Sequence, residues 1–397
     1  MTRFGKYSDR GVRSLAEEAV GEALKDAGIT PKDVEAVFFS NAIAGLITGQ
    51  EMIRGQVALR NTGLLGVPLF NVENACASAS SAFHLAWMAI QSGLYDVTLA
   101  VGAEKMTHPD KALTFRAIGT AVDLDQMREL MARMSAGAKQ PGIEGGDKSE
   151  KKSFFMDIYA ASTREYMKIS GATAETFADV AVKSHAFGAM NPKAQFHDRV
   201  TREQVLAARE VSAPLTLMMC SPIGDGSAAA VLMSEKYARK MGIATPVEVR
   251  ASVIFSGRDR ADNEPTALER VAKRAYEVAG IGPSDIDVLE VHDAAAPAEL
   301  ISYEELGLCA RGEGPKMLAN GVMNLGGAHV CNPSGGLLSK GHPIGATGIA
   351  QIVEIVDQLR GRCDARQVKG ARVGLTENGG GFLGRDAAAM SVHIFSR

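Results

Sequence analysis

The sequence predicts an α/β protein built from two related halves, and two features carry that prediction. Residues 15–42, LAEEAVGEALKDAGITPKDVEAVFFSNA, match residues 267–294, ALERVAKRAYEVAGIGPSDIDVLEVHDA, at an offset of 252 positions. Each copy reads as an amphipathic helix followed by a short apolar strand of the continuous type that is buried on both faces. Each half then carries a Gly- or Ser-rich turn opening a helix that leads to a further strand. This β-α-β order favours a largely parallel sheet covered by helices on both faces.

The first helix begins near Val12. Within the repeat, Ala27, Gly28, Ile29, Pro31 and Asp33 meet Ala279, Gly280, Ile281, Pro283 and Asp285, so a Gly stops each helix and a Pro/Asp turn follows. The next helix spans Ala75 to Gly93, and its strand runs from Val97 to Gly102. Between about 107 and 205 the pattern loosens into a helical stretch at Leu124 to Ser135, a polar Gly/Lys run at Ala138 to Lys152, and a helical stretch from Phe154 to Ile169. This excursion has the length of a lid or a subunit contact, or is a tolerated insertion. The halves divide near residues 236–246, giving an N-terminal half of 1–240 and a C-terminal half of 241–397. The second half opens on a strand at Val247 to Phe255 that has no counterpart ahead of Val12. A helix from Ala346 to Gly361 and a strand from Val373 to Glu377 complete it.

Composition narrows the function. Of the 397 residues, 46% are hydrophobic and only 22% charged, which describes an Ala/Gly/Val-rich globular protein of enzyme size. No apolar run reaches the length of a membrane span, and Met1 to Lys6 lacks the pattern of a signal peptide, so a cytoplasmic protein is expected. A net charge of −3 with scattered Lys and Arg offers no stripe for nucleic acid. The five cysteines are odd in number and form no CxxC pair, which argues against a disulfide framework and against a bound metal.

One cysteine and one histidine stand apart. Cys76 lies at the head of an Ala/Ser-rich helix, where Ala75, Ala77 and Ser78 leave room for an acyl chain and the helix dipole favours a thiolate. By itself, a Cys in such a helix reads as a small apolar filler. The segment Gly341-His342-Pro343-Ile344-Gly345-Ala346-Thr347 reverses that reading. Its imidazole sits on a Gly-rich, Pro-stiffened turn that can reach a thiol on another turn, giving a pair that ionises near neutral pH and performs covalent acyl transfer. Asn332 to Gly348 contains five glycines and no charge besides Lys340, unlike a generic surface turn. His292 falls at the end of the second repeat strand, where Ser40 sits in the first copy, at the strand edge on which α/β sites are built.

Taken together, Asn71 to Ala79 (NVENACASA), Ser221 to Gly226 (SPIGDG), His292-Asp293, Asn332 to Gly336 (NPSGG), the GHPIGATG segment and Gly379-Gly380-Gly381 resemble the thiolase superfamily over nearly the whole chain. The His-Asp pair is most similar to the sterol-carrier-protein-type thiolases. The resemblance implies a five-layered αβαβα fold and dimers or tetramers. It also implies action on acyl-CoA thioesters, with coenzyme A as substrate and no permanently bound cofactor. Cys76 would carry the acyl group and His342 would be its base. His292 would stabilise an enolate oxygen, and the N–H groups of Cys76 and Gly379 would form a second oxyanion site. Ser221 would line the pantetheine channel, and Asn332 would join the substrate-binding set.

Two departures matter. Family members carry a second acid/base Cys either two residues before the first Gly of the C-terminal motif or directly after His-Asp; here those positions are Glu377 and Ala294. Glu377 is either a substitute proton carrier or a solvated or salt-bridged carboxylate. Ala294 and Ala295 widen the site toward a bulky or branched acyl group. Four functions follow: thiolytic cleavage or reverse Claisen condensation of a β-ketoacyl-CoA; a retro-aldolase or ketoacyl-CoA lyase without a covalent intermediate; a non-catalytic acyl-CoA or lipid-binding protein; and a subunit that needs a small OB-fold, zinc-ribbon partner.

Overall fold

The computed structural model describes residues 1–129, 154–243, 246–261 and 263–397. In chain order, helix α1 (Val12–Ala27) leads to strands β1 (Ala36–Ser40) and β2 (Leu69–Val72), helix α2 (Ser78–Gln91) and strand β3 (Val97–Glu104). Helices α3 (Phe154–Ser170) and α4 (Ala174–Gly188) follow, then a small hairpin of β4 (Glu210–Ser212) and β5 (Leu215–Thr216), then β6 (Gly226–Met233). The remainder runs β7 (Glu248–Ser256), α5 (Ala267–Ala279), β8 (Val288–Glu290), α6 (Ala296–Glu305), β9 (Val330–Cys331), α7 (Thr347–Arg360), β10 (Val373–Leu383) and β11 (Asp386–Ser396).

The repeated residues do the same work in both copies. Gly28 and Gly280 close α1 and α5 in the left-handed region at φ 67° and 69°, and their N–H groups return to the last helical turn. A 3-10 turn follows each, in which Asp33 accepts from the Thr30 N–H at 2.8 Å and Asp285 from the Gly282 N–H at 2.7 Å. The turns feed β1 and β8, whose residues are all buried. Continuous burial is what an apolar strand without polar alternation requires.

The two sheets repeat one another. The order β2-β1-β3-β6 matches β9-β8-β10-β11, with parallel pairing up to β3 or β10 and an antiparallel last pair. The expected largely parallel sheet is therefore a mixed one, because β6 and β11 each turn back beside the preceding strand. The second sheet adds β7 antiparallel to β11. At the equivalent position beside β6, Thr2 and Gly5 hydrogen-bond to Ser227 and Asp225.

Three cores hold five layers together. Val20 and Leu24 of α1 meet Val37 and Phe39 of β1 on one outer face. Phe38, from the other face of β1, joins Ala82, Phe83 and Ala86 of α2 and Ile349, Ile352 and Ile355 of α7 in the middle layer. Val271 and Ala275 of α5 pack on the second sheet with Leu289, Leu375 and Val392. Burial of each large apolar side chain contributes about 1.5–3 kcal/mol. Within the excursion, residues 124–129 are helical and α3 covers the expected Phe154 to Ile169 stretch. The rest of Leu124 to Ser135, and the run Ala138 to Lys152, lie outside the described residues. Among the described residues, no helix is long and apolar enough to cross a membrane.

A fully buried ion pair fixes the loop that precedes α7. Lys340 Nζ lies 2.9 Å from Glu290 Oε2 at the end of β8, and Glu290 also accepts from Ser334 N at 3.1 Å and Ser334 Oγ at 2.6 Å. Removing one partner of such a pair strands a buried charge. Lys340→Met should therefore lower the unfolding free energy in urea by about 3–5 kcal/mol, whereas Glu290→Leu combined with Lys340→Met should cost markedly less.

Candidate active site

Cys76 sits in a 3-10 turn, Ala75–Ala77, immediately ahead of α2. The turn is strained: Ala75, a residue with a Cβ, has φ 47°, a conformation that costs about 1–3 kcal/mol and needs its surroundings to hold it. Glu73 Oε1 accepts from Ala75 N at 2.6 Å, and Ser78 Oγ bridges Asn74 N at 2.9 Å and Ala75 O at 2.6 Å. β10 crosses the turn so closely that a Cβ on Gly380 would fall 2.1 Å from Asn74 O and 2.6 Å from Ala77 N. This contact, open only to glycine, packs the Gly380–Gly381 segment on the turn, and the N–H groups of Cys76 and Gly381 favour the thiolate.

His342 comes from the other half of the chain. Thr347 Oγ1 donates its hydrogen to Pro343 O at 2.9 Å, so its 2.8 Å contact with His342 Nδ1 must be accepted from the ring. That places the proton on Nδ1 and leaves Nε2 with a free lone pair. The turn is clamped to the first half. Gly345 N donates to Glu104 Oε2 at 2.9 Å, and Ser40 Oγ donates to Gly345 O at 2.8 Å. A Cβ on Gly345 would come within 2.8 Å of Asn41 Cα, which accounts for glycine there.

His292 follows β8, its main-chain N–H donating to Glu377 Oε2 at 2.8 Å. Its ring stands edge-on to that of His342, with centroids 5.1 Å apart and planes at 72°. One ligand atom each from Cys76, His292 and His342 lies within 4.8 Å of the other two. The thiol and imidazole of residues 76 and 342, 266 positions apart in sequence, thus share one cluster with His292.

Comparison with known proteins identifies the family. The family model described as "Thiolase, N-terminal domain" matches residues 1–236, and "Thiolase C-terminal domain-like" matches residues 253–397. The chain belongs to the thiolase family. It is similar to an acetyl-CoA acetyltransferase of Methanothermobacter thermautotrophicus, 39% identical across 100% of this chain and 97% of that one. It is also similar to sterol carrier protein 2 of Homo sapiens, 36% identical over 95% of this chain and 68% of that protein. A benzoylsuccinyl-CoA thiolase subunit BbsB of Thauera aromatica is 38% identical over 97% and 94%. Among solved structures, "Ltp2-ChsH2(DUF35) aldolase" superposes with a TM-score of 0.77 at 27% identity, covering 100% of this chain and 95% of that one. As a thiolase-family member the protein is an acyltransferase, so a purely binding role gives way to an enzymatic one.

The electrostatics of this thiolase site differ from the sequence expectation of a thiol ionised near neutrality. Burial pushes Cys76 up to about 12, and the negative charges of Glu104 and Glu73 add to the effect, outweighing the N–H groups at the sulfur. Burial also holds His292 down to about 4, and holds His342 well below its ordinary value with help from the neighbouring His292 and Lys340. The resting pair is a neutral thiol beside a neutral imidazole. Glu377 is buried and pushed up to about 7, with its His292 and Ser302 hydrogen bonds opposing the shift.

Other expected residues take separate places. Asn332 turns away from the cluster: at φ 53°, its Oδ1 accepts from Val291 N at 2.8 Å and its Nδ2 donates to Glu299 Oε2 at 3.0 Å, so it supports the strand end that carries His292. Ser221 N donates to Ala294 O at 2.9 Å, beside the His-Asp pair. Gly379 lies opposite Met390 in the β10–β11 ladder, two residues before Gly381, whose N–H favours the Cys76 thiolate. Glu104, Thr347 and the Lys340–Glu290 pair escaped sequence reasoning. The one available signal for Glu104 was a carboxylate closing an otherwise apolar strand, VTLAVGAE.

A thiol pushed up to about 12 predicts a definite reactivity profile. Alkylation of Cys76 by iodoacetamide should rise about tenfold per pH unit from pH 7 to 9 without a plateau, because only the thiolate reacts fast. A plateau beginning near pH 7, followed by intact mass, would instead show a low-pKa nucleophile.

Proposed function

We propose that this thiolase cleaves a β-ketoacyl-CoA with free CoA, or runs the reverse Claisen condensation, through an acyl thioester on Cys76. The observation that carries the reading is the junction of the Cys76 sulfur with two imidazoles, one of which keeps its Nε2 lone pair free. His342 Nε2 takes the thiol proton as sulfur attacks the β-keto carbon, so no stable thiolate is needed in the resting protein. The Cα–Cβ bond breaks, its electron pair passes to an enolate of the departing acyl-CoA, and His292 stabilises the enolate oxygen. The N–H groups of Cys76 and Gly381 face the acyl-thioester oxygen; Gly379, two residues earlier, is the alternative donor.

Glu377 is the group we assign to the proton that the departing enolate carbon gains and that the incoming CoA thiol loses. A carboxyl with its midpoint near the working pH can do both. Ala294 beside His292 leaves space for a bulky or branched acyl group. Incubation with a mixed acyl-CoA panel should add one acyl mass to Cys76 and none in Cys76→Ala. Glu377→Gln should acylate yet turn over at least tenfold more slowly and lose the activity inflection near pH 7. Cleavage that persists in Cys76→Ala would favour the aldolase-type reading, for which the aldolase named among the similar structures is the specific support.

The assembled enzyme is proposed to be a homodimer or homotetramer. β2 is an edge strand, and Phe70 on it and Leu85 and Met88 on α2 are exposed large apolar residues. A small OB-fold, zinc-ribbon subunit is the further partner proposed, since one relative is named as a subunit and one similar structure carries a second named component. Light scattering on the purified chain should give at least twice the 41.9 kDa chain mass, and Phe70→Asp combined with Met88→Asp should shift it to that mass.

A further inference from the structure

We propose that the Cys76 sulfur and the imidazoles of His292 and His342 form a binding site for a soft divalent cation of the zinc type, and that its occupancy excludes acylation of Cys76. Three observations converge on this. The ligand atoms lie within 4.8 Å of one another, close to the roughly 3.4–3.6 Å that separates S and N ligands of tetrahedral zinc. The donor set is the one zinc favours, a thiolate and two imidazoles. Beyond the ligands, Thr347 fixes His342 from Nδ1, the kind of outer contact that orients metal-binding imidazoles, and His292 Nε2 is buried without a hydrogen-bond partner.

Charge favours the same occupant. Glu104 accepts from the main-chain N–H groups of Ala42, Ala44 and Gly345 and from Asn41 Nδ2, so every one of these partners is a donor and the pocket fits the carboxylate form. Binding exchanges the S–H bond for an S–metal bond and releases the proton to solvent, with no change of oxidation state. Three protein ligands leave a fourth position for water, as in sites where zinc is exchangeable. The consequence for turnover rests on Cys76 being the acylated residue; the binding itself does not.

The test uses the full chain without substrate. Co2+ added to the protein should give a thiolate-to-cobalt charge-transfer band in the near ultraviolet with intense visible bands of tetrahedral type. Calorimetry with ZnCl2 should give one ion per chain and about one proton released. Affinity should rise about tenfold per pH unit between pH 6 and 8, as the thiol proton is displaced. Cys76→Ser and His292→Gln should each bind at least tenfold more weakly, while Cys309→Ser binds as the unaltered chain does. Zn2+ should block iodoacetamide at Cys76 until EDTA is added. The absence of the charge-transfer band in the unaltered protein, or equal Zn2+ affinity in Cys76→Ser, overturns the proposal without reference to any variant's fold. A cobalt band alongside no acyl mass on Cys76 would leave this site standing and remove the acyl-transfer reading alone.

Discussion

The Glu104 carboxylate collects donors from two segments far apart in the chain: Asn41, Ala42, Ile43 and Ala44 on one side, and Gly345 of the His342 turn on the other. Ser40 adds a hydroxyl to the Gly345 carbonyl from the end of β1. These contacts tie the His342 turn to the half that carries the Cys76 turn and add direction to a middle layer in which α2 and α7 meet largely through small and aliphatic side chains. A buried carboxylate with only donors around it is directional, and cannot be satisfied by a shifted loop. The position of the His342 ring therefore depends on a residue in the opposite half of the molecule.

Around this clamp, buried polar groups determine what the thiol can do. Burial and the charges of Glu104 and Glu73 disfavour a free thiolate there, and burial likewise disfavours the charged form of the neighbouring imidazoles. Chemistry in such a site must couple proton transfer to bond formation. Burial also lifts Glu377 to about 7, against the pull of its His292 and Ser302 hydrogen bonds. One physical cause, burial, thus holds the Cys76 thiol protonated and raises the Glu377 carboxyl.

Much of this was legible in the residues. Gly28 and Gly280, the Pro/Asp turns and the paired apolar strands announced the duplication because each encodes a local backbone requirement. Cys76, His342 and His292 stood out because Gly-rich segments around reactive side chains are costly unless used. The reversed directions of β6 and β11 were not legible, since antiparallel return depends on connections rather than on strand composition. Nor was the thiol's suppressed acidity: a helix start favours the anion, and only the three-dimensional surroundings reveal that burial and two carboxylates outweigh it. Asn332 misled for a related reason, because its side chain's orientation is set by Val291 and Glu299, which sequence spacing does not place beside it.

The equivalence of Ser40 and His292 in the duplicated unit has a consequence for how such a chain can change. One copy kept the reactive ring at its strand end, while the other uses a hydroxyl at the matching point to hold its sibling's loop. Each half is thereby specialised in a task that only the other makes useful. Exchanging either segment for its twin would therefore leave a tether without its loop or a ring without its tether.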